Sequence, residues 1–309
     1  MTASIVCLEA LGETPKNDPI AAKHRIQWQR RPGTEVAFYL EYENSTRLET
    51  LNARGEPIGG KPKRQRPRHL KLDLKLKWQR DLGSEAVAVL TVRRIRAVEL
   101  PGWSRHESTE PHLTGEFRVR PGKKRPVQLK WLARTRSKLS TLAGGTSQSR
   151  EFLAALEEAL EDFFRLFPEP APPPKEGYKW LFKKNFQLEK TLQLRAKFEL
   201  ECLETKMLTT EKPKPTNSDE RKAPAKTVEF PVAVLEGAIS QSIPGAAPDL
   251  QRAPGLFPGS IKWTQDLERG FPVSLEARKT AQIPVPDEKL PTVKTLTHLY
   301  TLRIESSRP

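Results

Sequence analysis

The chain has 309 residues and a formal net charge of +15, from 53 Lys and Arg against 38 Asp and Glu. No run approaches the roughly 18 to 20 apolar residues of a spanning helix. Two cysteines, Cys7 and Cys202, are too few for a disulfide scaffold or a structural zinc site. With 28 Pro against 17 Gly, the connections read as stiff rather than freely flexible.

At the N-terminus, Met1 to Glu9 lacks a basic start and Glu9 cuts the apolar run short, so no secretory leader is visible. The chain therefore reads as cytoplasmic, or as extracytoplasmic if its true start lies upstream. Residues 24–29 read as a weak strand. Val36, Phe38, Leu40 and Tyr42 then alternate with polar positions, as one dry face of a strand does.

Residues 52–139 hold 23 basic against 8 acidic side chains, and the flanking segments are nearly neutral. This stretch alone carries the net charge, and clustering rather than the total sets a local potential. Its densest run is Lys61-Pro62-Lys63-Arg64-Gln65-Arg66-Pro67-Arg68-His69, followed by the turn Lys123-Lys124-Arg125. The candidate anion-binding residues are therefore Lys61, Lys63, Arg64, Arg66, Arg68, Lys123, Lys124 and Arg125.

Within the same stretch, Leu70, Leu72, Leu74, Leu76 and Trp78 alternate with charged residues, the clearest strand signal in the chain. The strand at 86–99 breaks parity, since Ile95 falls on the opposite side from Leu90 and Val92. A bulge near Arg93-Arg94 would restore the apolar side to the core and re-aim the arginines. Further strands are expected at 115–120 and 126–135. Between them, the loop holding His106, Glu107, Glu110 and His112 is the one cluster of potential ligands or acid–base groups.

Phe152, Leu156, Leu160, Phe163 and Phe167 recur at helical spacing, with Ser147 or Ser149 as N-cap and Pro168 as the stop. Glu157, Glu158, Glu161 and Asp162 are expected on a solvated acidic side, or docked against the basic segment. A proline connector, Pro168 to Pro174, leads to alternating strands near 178–187, 192–202, 228–239, 260–266, 272–283 and 296–304. Long loops are expected at 209–227 and 239–259. The fold class is mostly β: antiparallel sheet or sheets, one principal amphipathic helix (148–167) and long Pro-rich loops. The expected division is a strand-rich 1–147, a helix and connector at 148–175, and a strand-rich 176–309, or else one continuous domain.

No P-loop, dinucleotide fingerprint, nucleophile elbow or zinc-helix spacing occurs, so no catalytic or metal-binding residue and no cofactor is assigned. Ala143 to Ser147 reads as a plain capped loop, and Trp78 as core. Phe167 to Trp180, a proline-rich exit from a helix followed by Gly177-Tyr178-Lys179-Trp180 and a long alternating strand, resembles an uncharacterised group of bacterial, strand-rich, extracytoplasmic proteins. In that family a proline segment leads to Gly-Asp-x-Trp, and Tyr178 stands where it usually shows an acid. The resemblance implies export and a β-rich fold, and no activity.

Three function classes follow. The first is a non-catalytic protein whose basic face binds polyanions or anionic surfaces. The second is a carrier holding an apolar ligand between a curved sheet and the helix. The third is an enzyme whose site is assembled from distant strands.

Overall fold

A computed structural model describes residues 24–26, 28, 30–51, 58, 63–120, 123, 125–166, 174–188, 192–211, 227–244, 256–285 and 293–306. Most of the proline connector, the centres of both expected long loops, Lys61 and Lys124 lie outside the described residues. In chain order the elements are β1 (Glu35–Leu51), β2 (Lys63–Arg66), β3 (His69–Asp81), β4 (Ala86–Leu100), β5 (Trp103–Arg105), β6 (Leu113–Val119) and β7 (Val127–Trp131). Two helices follow, α1 (Ala133–Ala143) and α2 (Thr146–Arg165). The rest is strand: β8 (Lys179–Gln187), β9 (Gln193–Glu211), β10 (Thr227–Ser242), β11 (Gly259–Asp266), β12 (Phe271–Val285) and β13 (Val293–Ser306).

The protein is mostly β, and its strands form one open antiparallel sheet in the order β7-β6-β4-β3-β1-β13-β12-β11-β10-β9-β8. The strand-rich halves meet where β1 pairs with β13, from Phe38↔Ser306 to Leu51↔Val293. Alternation in β3 puts Leu70, Leu72, Leu74, Leu76 and Trp78 in the core and leaves the lysines between them outside. The parity break in β4 is resolved by two inserted arginines. Leu74 pairs with Val92, Asp73 with Arg94, Leu72 with Ile95 and Lys71 with Ala97, so Arg93 and Arg96 have no partner across the ladder. Each bulge returns the next apolar residue to the inner face.

The sheet curls. Phe186 of β8 and Tyr300 of β13 lie five strand spacings apart in the sheet order, about 24 Å if it were flat. Their ring centroids are 5.1 Å apart. Inside the curl sits α2, with Phe152, Leu156, Leu160 and Phe163 fully buried. Phe164 meets Phe117 of β6 at 5.4 Å on one side, and Asp162 pairs with Lys184 of β8 on the other. No strand forms at the described positions of 24–29. Instead Ile26 is fully buried, and Trp28 stacks on Phe164 at 4.5 Å and meets Phe163 and Phe271 edge-on.

The helices differ from expectation in two ways. There are two, because the alternation expected to continue as strand to 135 ends at Trp131 and α1 follows. Helix α1 escapes sequence reading because only Leu139 and Ala143 are buried, too few to make an apolar stripe. Helix α2 begins at Thr146, with Gly145 before it, so Ser147 and Ser149 are not caps; Ser149 Oγ donates back to the Thr146 carbonyl at 3.0 Å. The corner between the helices needs Gly144, at φ +79°, a conformation that costs glycine least.

The Leu74 side chain is 1 % exposed. We expect Leu74→Asp to destabilise the chain by about 3 kcal/mol or more, through a buried charge without a partner. We expect Phe163→Ala to cost about 3 to 5 kcal/mol. Urea unfolding checks both, and an unchanged midpoint for either variant contradicts the inner-face assignment.

Candidate polyanion-binding edge and a buried network

The structure separates the sequence-predicted cations. Lys63, Arg64 and Arg66 lie on β2, paired with Thr46–Leu48 at one end of the sheet. The exposed Lys123 and Arg125 lie in the turn between β6 and β7, level with the far end of β3. The intervening β3 has 13 residues and spans on the order of 40 Å. The two clusters are therefore not one site. Arg68 turns inward: its Nη1 donates to Glu158 Oε2 at 2.6 Å and its Nη2 to Glu151 Oε2 at 3.5 Å.

Much of the remaining charge of 52–139 is matched on the convex face. Lys71 meets Glu41, Lys75 meets Glu35, Arg96 grips Asp73 through two nitrogens, and Arg118 and Arg120 share Glu85. Such exposed cross-strand pairs add little stability each. Their consequence is electrostatic, since a paired cation contributes little to a far field.

Of the described cations without a carboxylate in ion-pair distance, the largest group lies at one edge. Lys130 on the edge strand β7, and Arg134, Arg136 and Lys138 on α1, are all exposed. Helix α1 contains no acidic residue. Among the described residues none of these four, nor Lys123 or Arg125, lies within ion-pair distance of a carboxylate. Arg125 is near enough to α2 to oppose the rise that burial imposes on the Glu157 and Glu161 pKa values. The weight of Arg134 and Arg136 is not legible in the sequence, because it depends on which cations find an ion-pair partner in the folded chain.

Inside the curl lies a buried network that a periodic sequence pattern does not reveal. Asp162 of α2 accepts from Lys184 of β8 and from the Tyr300 hydroxyl at 3.1 Å. Glu158, one turn earlier, accepts from Arg68, from Asn44 Nδ2 at 2.8 Å and from Lys184 at 3.5 Å. The two carboxylates are thus not a solvated face. The chain of contacts continues through Asn44 Oδ1 to His298 Nε2 at 2.9 Å, and from His298 Nδ1 to Lys279 Nζ at 2.9 Å. Lys279 also donates to Gln241 Oε1 at 3.1 Å. With Lys279 donating to Nδ1, the imidazole proton sits on Nε2 and points at Asn44.

The charge states follow from burial. Lys279 is held well below the usual lysine range by desolvation, reinforced by Lys184 and opposed by Asp162. His298 is likewise held well below its usual value by burial, then by Lys279 and Lys184. Burial raises Asp162 despite the neighbouring Lys184. Burial also acts to raise Glu158, but Lys184, Arg68 and its hydrogen bonds bring it below the usual carboxylate range. Chemically this is a hydrogen-bonded strut between helix and sheet. His298 is 0 % exposed and Lys279 3 %, so the pair offers no surface to a substrate.

Cys202 is a buried thiol on the inner face of β9. The expected loop cluster does not converge: Glu110 is taken by Arg94, and the His106 ring contacts Ser104 Oγ at 3.2 Å. Among the described residues no three His, Cys, Asp or Glu side chains gather as metal ligands would. No protein-family model matches the chain, and no curated protein matches its sequence.

The network makes stability depend on pH with a definite sign. An unfolded lysine titrates near about 10.4, so below that the unfolded state binds a proton that folded Lys279 has released over the interval down to its depressed value. Stability should rise with pH in that interval, by at most about 1.4 kcal/mol per pH unit. The depressed His298 adds the same sign below about pH 6.5. We expect Lys279→Met to flatten the rise measured by urea unfolding between about pH 8 and 9.5, a window below the tyrosine range. An equal slope in the variant would place the titration elsewhere. We also expect Glu158→Ala to cost about 1 to 3 kcal/mol, because Arg68, Asn44 and Lys184 each lose an acceptor at once.

Proposed function

We propose that the protein binds polyanions through the edge formed by Lys123, Arg125, Lys130, Arg134, Arg136 and Lys138, without catalysis. The observation that carries this reading is the contrast between paired and unpaired cations. Many strand cations of the convex face have a carboxylate within ion-pair distance, whereas among the described residues these six do not, and the helix contains no acidic residue. A short strand and a helix in sequence give an elongated strip of positive charge, suited to a linear polyanion. Lys63, Arg64 and Arg66, flanked in sequence by Lys61, form a second basic run at the opposite end, which a long polyanion would reach only by crossing the sheet. Lys124 continues the first strip in sequence.

The other two readings draw less support. A carrier for an apolar ligand needs the volume that Phe152, Phe163, Phe164, Phe186 and Tyr300 already fill. An enzyme would need the titratable groups of the network at a surface. Among the described residues, no helix is long and apolar enough to cross a membrane.

Binding of this kind rests on release of counterions, so affinity falls steeply with salt and sequence preference is slight. Six contacts to a duplex polyanion correspond to a slope of about −5 in log K against log salt. Replacing Lys130, Arg134, Arg136 and Lys138 by Gln should reduce that slope by about 3 to 4 and weaken binding at low salt. Replacing Lys63, Arg64 and Arg66 should change it less. Titration with duplex DNA over a salt series measures all three chains. Equal affinity of the fourfold variant and the native chain, or no binding by the native chain at low salt, rules the edge out.

A further inference from the structure

A cleft of about 490 Å³ opens on the convex face, away from the α1 edge, among Ala37, Tyr39, Asp73, Arg93, Arg94 and His112, with Glu110, Glu305 and Ser306 at its margins. It lies over the first bulge of β4, where Arg93 is inserted between the pairs Leu74↔Val92 and Asp73↔Arg94. The bulge turns Arg93 outward, and the residue is exposed.

The charges around the cleft do not cancel. Asp73 is gripped by Arg96 at 2.9 and 3.1 Å and approached by Arg94 at 3.8 Å. Glu110 accepts from Arg94 Nε at 3.1 Å and from its Nη2. Glu305 accepts from Arg303 Nε at 2.9 Å. Each carboxylate thus has its own guanidinium, and Arg93 is the one left over, without a carboxylate in ion-pair distance among the described residues. The other groove on this face, lined by Glu236, Lys262, Glu276, Arg303 and Glu305, has no such remainder. There Lys262 is met by Glu236 at 3.3 Å, and Arg303 by Glu305.

His112 supplies a second donor. Its backbone has φ +46°, the only positive value at a non-glycine position among the described residues. The imidazole is exposed, with Nε2 4.0 Å from Glu110 Oε2. Non-glycine residues occupy that region uncommonly and at some cost, and such positions cluster at ligand clamps. Tyr39 presents a ring to the same cleft, with Arg96 5.2 Å from its centroid.

We infer that this cleft binds a small organic anion, whose carboxylate or phosphate sits on the Arg93 guanidinium and the His112 imidazole while its uncharged part lies against Tyr39 and Ala37. A guanidinium offers paired donors in a plane, which suits either oxyanion. The size of the cleft is that of a small-molecule site rather than a track for a polymer. The site is separate from the polyanion edge, and either reading stands without the other.

Calorimetric titration of the full chain with phenyl phosphate, and in parallel with benzoate and with inorganic phosphate, tests it. The expected result is saturable one-to-one binding of at least one aromatic anion, tighter than inorganic phosphate. Arg93→Gln should weaken it about tenfold or more, since a lost charged hydrogen-bond pair is worth at least that factor. His112→Ala should weaken it by a smaller factor. Arg278→Gln, an exposed convex-face arginine outside the cleft paired with Glu276, should leave it unchanged. Because Arg93 is exposed, its variant should melt with the native chain, and the melting curve is recorded to verify this. The inference is overturned if the native chain shows no saturable binding up to about 10 mM, weaker than any useful site. Equal affinity of Arg93→Gln also overturns it, as does loss in the fourfold α1-edge variant with retention in Arg93→Gln.

Discussion

Everything else in the structure depends on how α2 is held inside the curled sheet. Its apolar side supplies Phe152, Leu156, Leu160 and Phe163 to the core, which is the hydrophobic part of the bond. Its acidic side is gripped from two directions, by Arg68 just before β3 and by Lys184 of β8. These strands stand far apart in the sheet order, so the carboxylates of one helix tie together regions that no hydrogen-bonded ladder connects directly. A buried ion pair is costly to desolvate and is weak evidence for stability. Here each charge has several partners, and the arrangement fixes which way the sheet closes on the helix.

Lys279 and His298 extend that grip across β12 and β13. Two basic groups in contact would repel if both were charged, and desolvation disfavours either charge. Their depressed pKa values are the physical resolution, leaving hydrogen bonds in place of repulsion. Phe186, whose ring lies 4.0 Å from Lys279 Nζ and 5.1 Å from that of Tyr300, covers the network from the opposite wall of the curl.

The outer surface follows a different logic. Antiparallel pairing sets residues of neighbouring strands side by side, and the sequence places opposite charges at many of those positions. Neutralisation is therefore decided partly by register and partly by neighbours two residues apart on one strand. The two bulges of β4 are the exception that matters, because they separate three nearby arginines: Arg94 and Arg96 find carboxylates, and Arg93 does not. Helix α1 is the other exception, since it contains no acidic residue to meet its own cations.

Alternation from Leu70 to Trp78, the parity break at Ile95 and the apolar spacing from Phe152 to Phe163 were legible because each is a local pattern whose period equals that of the backbone. They determine the strands, the bulge and the main helix without reference to the rest of the chain. Helix α1 was illegible because an apolar face of two buried residues leaves no period to read. The pairing of β1 with β13, the inward turn of Arg68 and the assembly of Asp162, Lys184, Lys279 and His298 were decided by tertiary structure alone. Those residues lie on α2, β8, β12 and β13 or just before β3, and a periodic pattern carries no record of which distant face a side chain will meet. The net charge was likewise plain in the sequence, whereas its effective location was not, because pairing across strands depends on register, and register is set by strands distant in the chain.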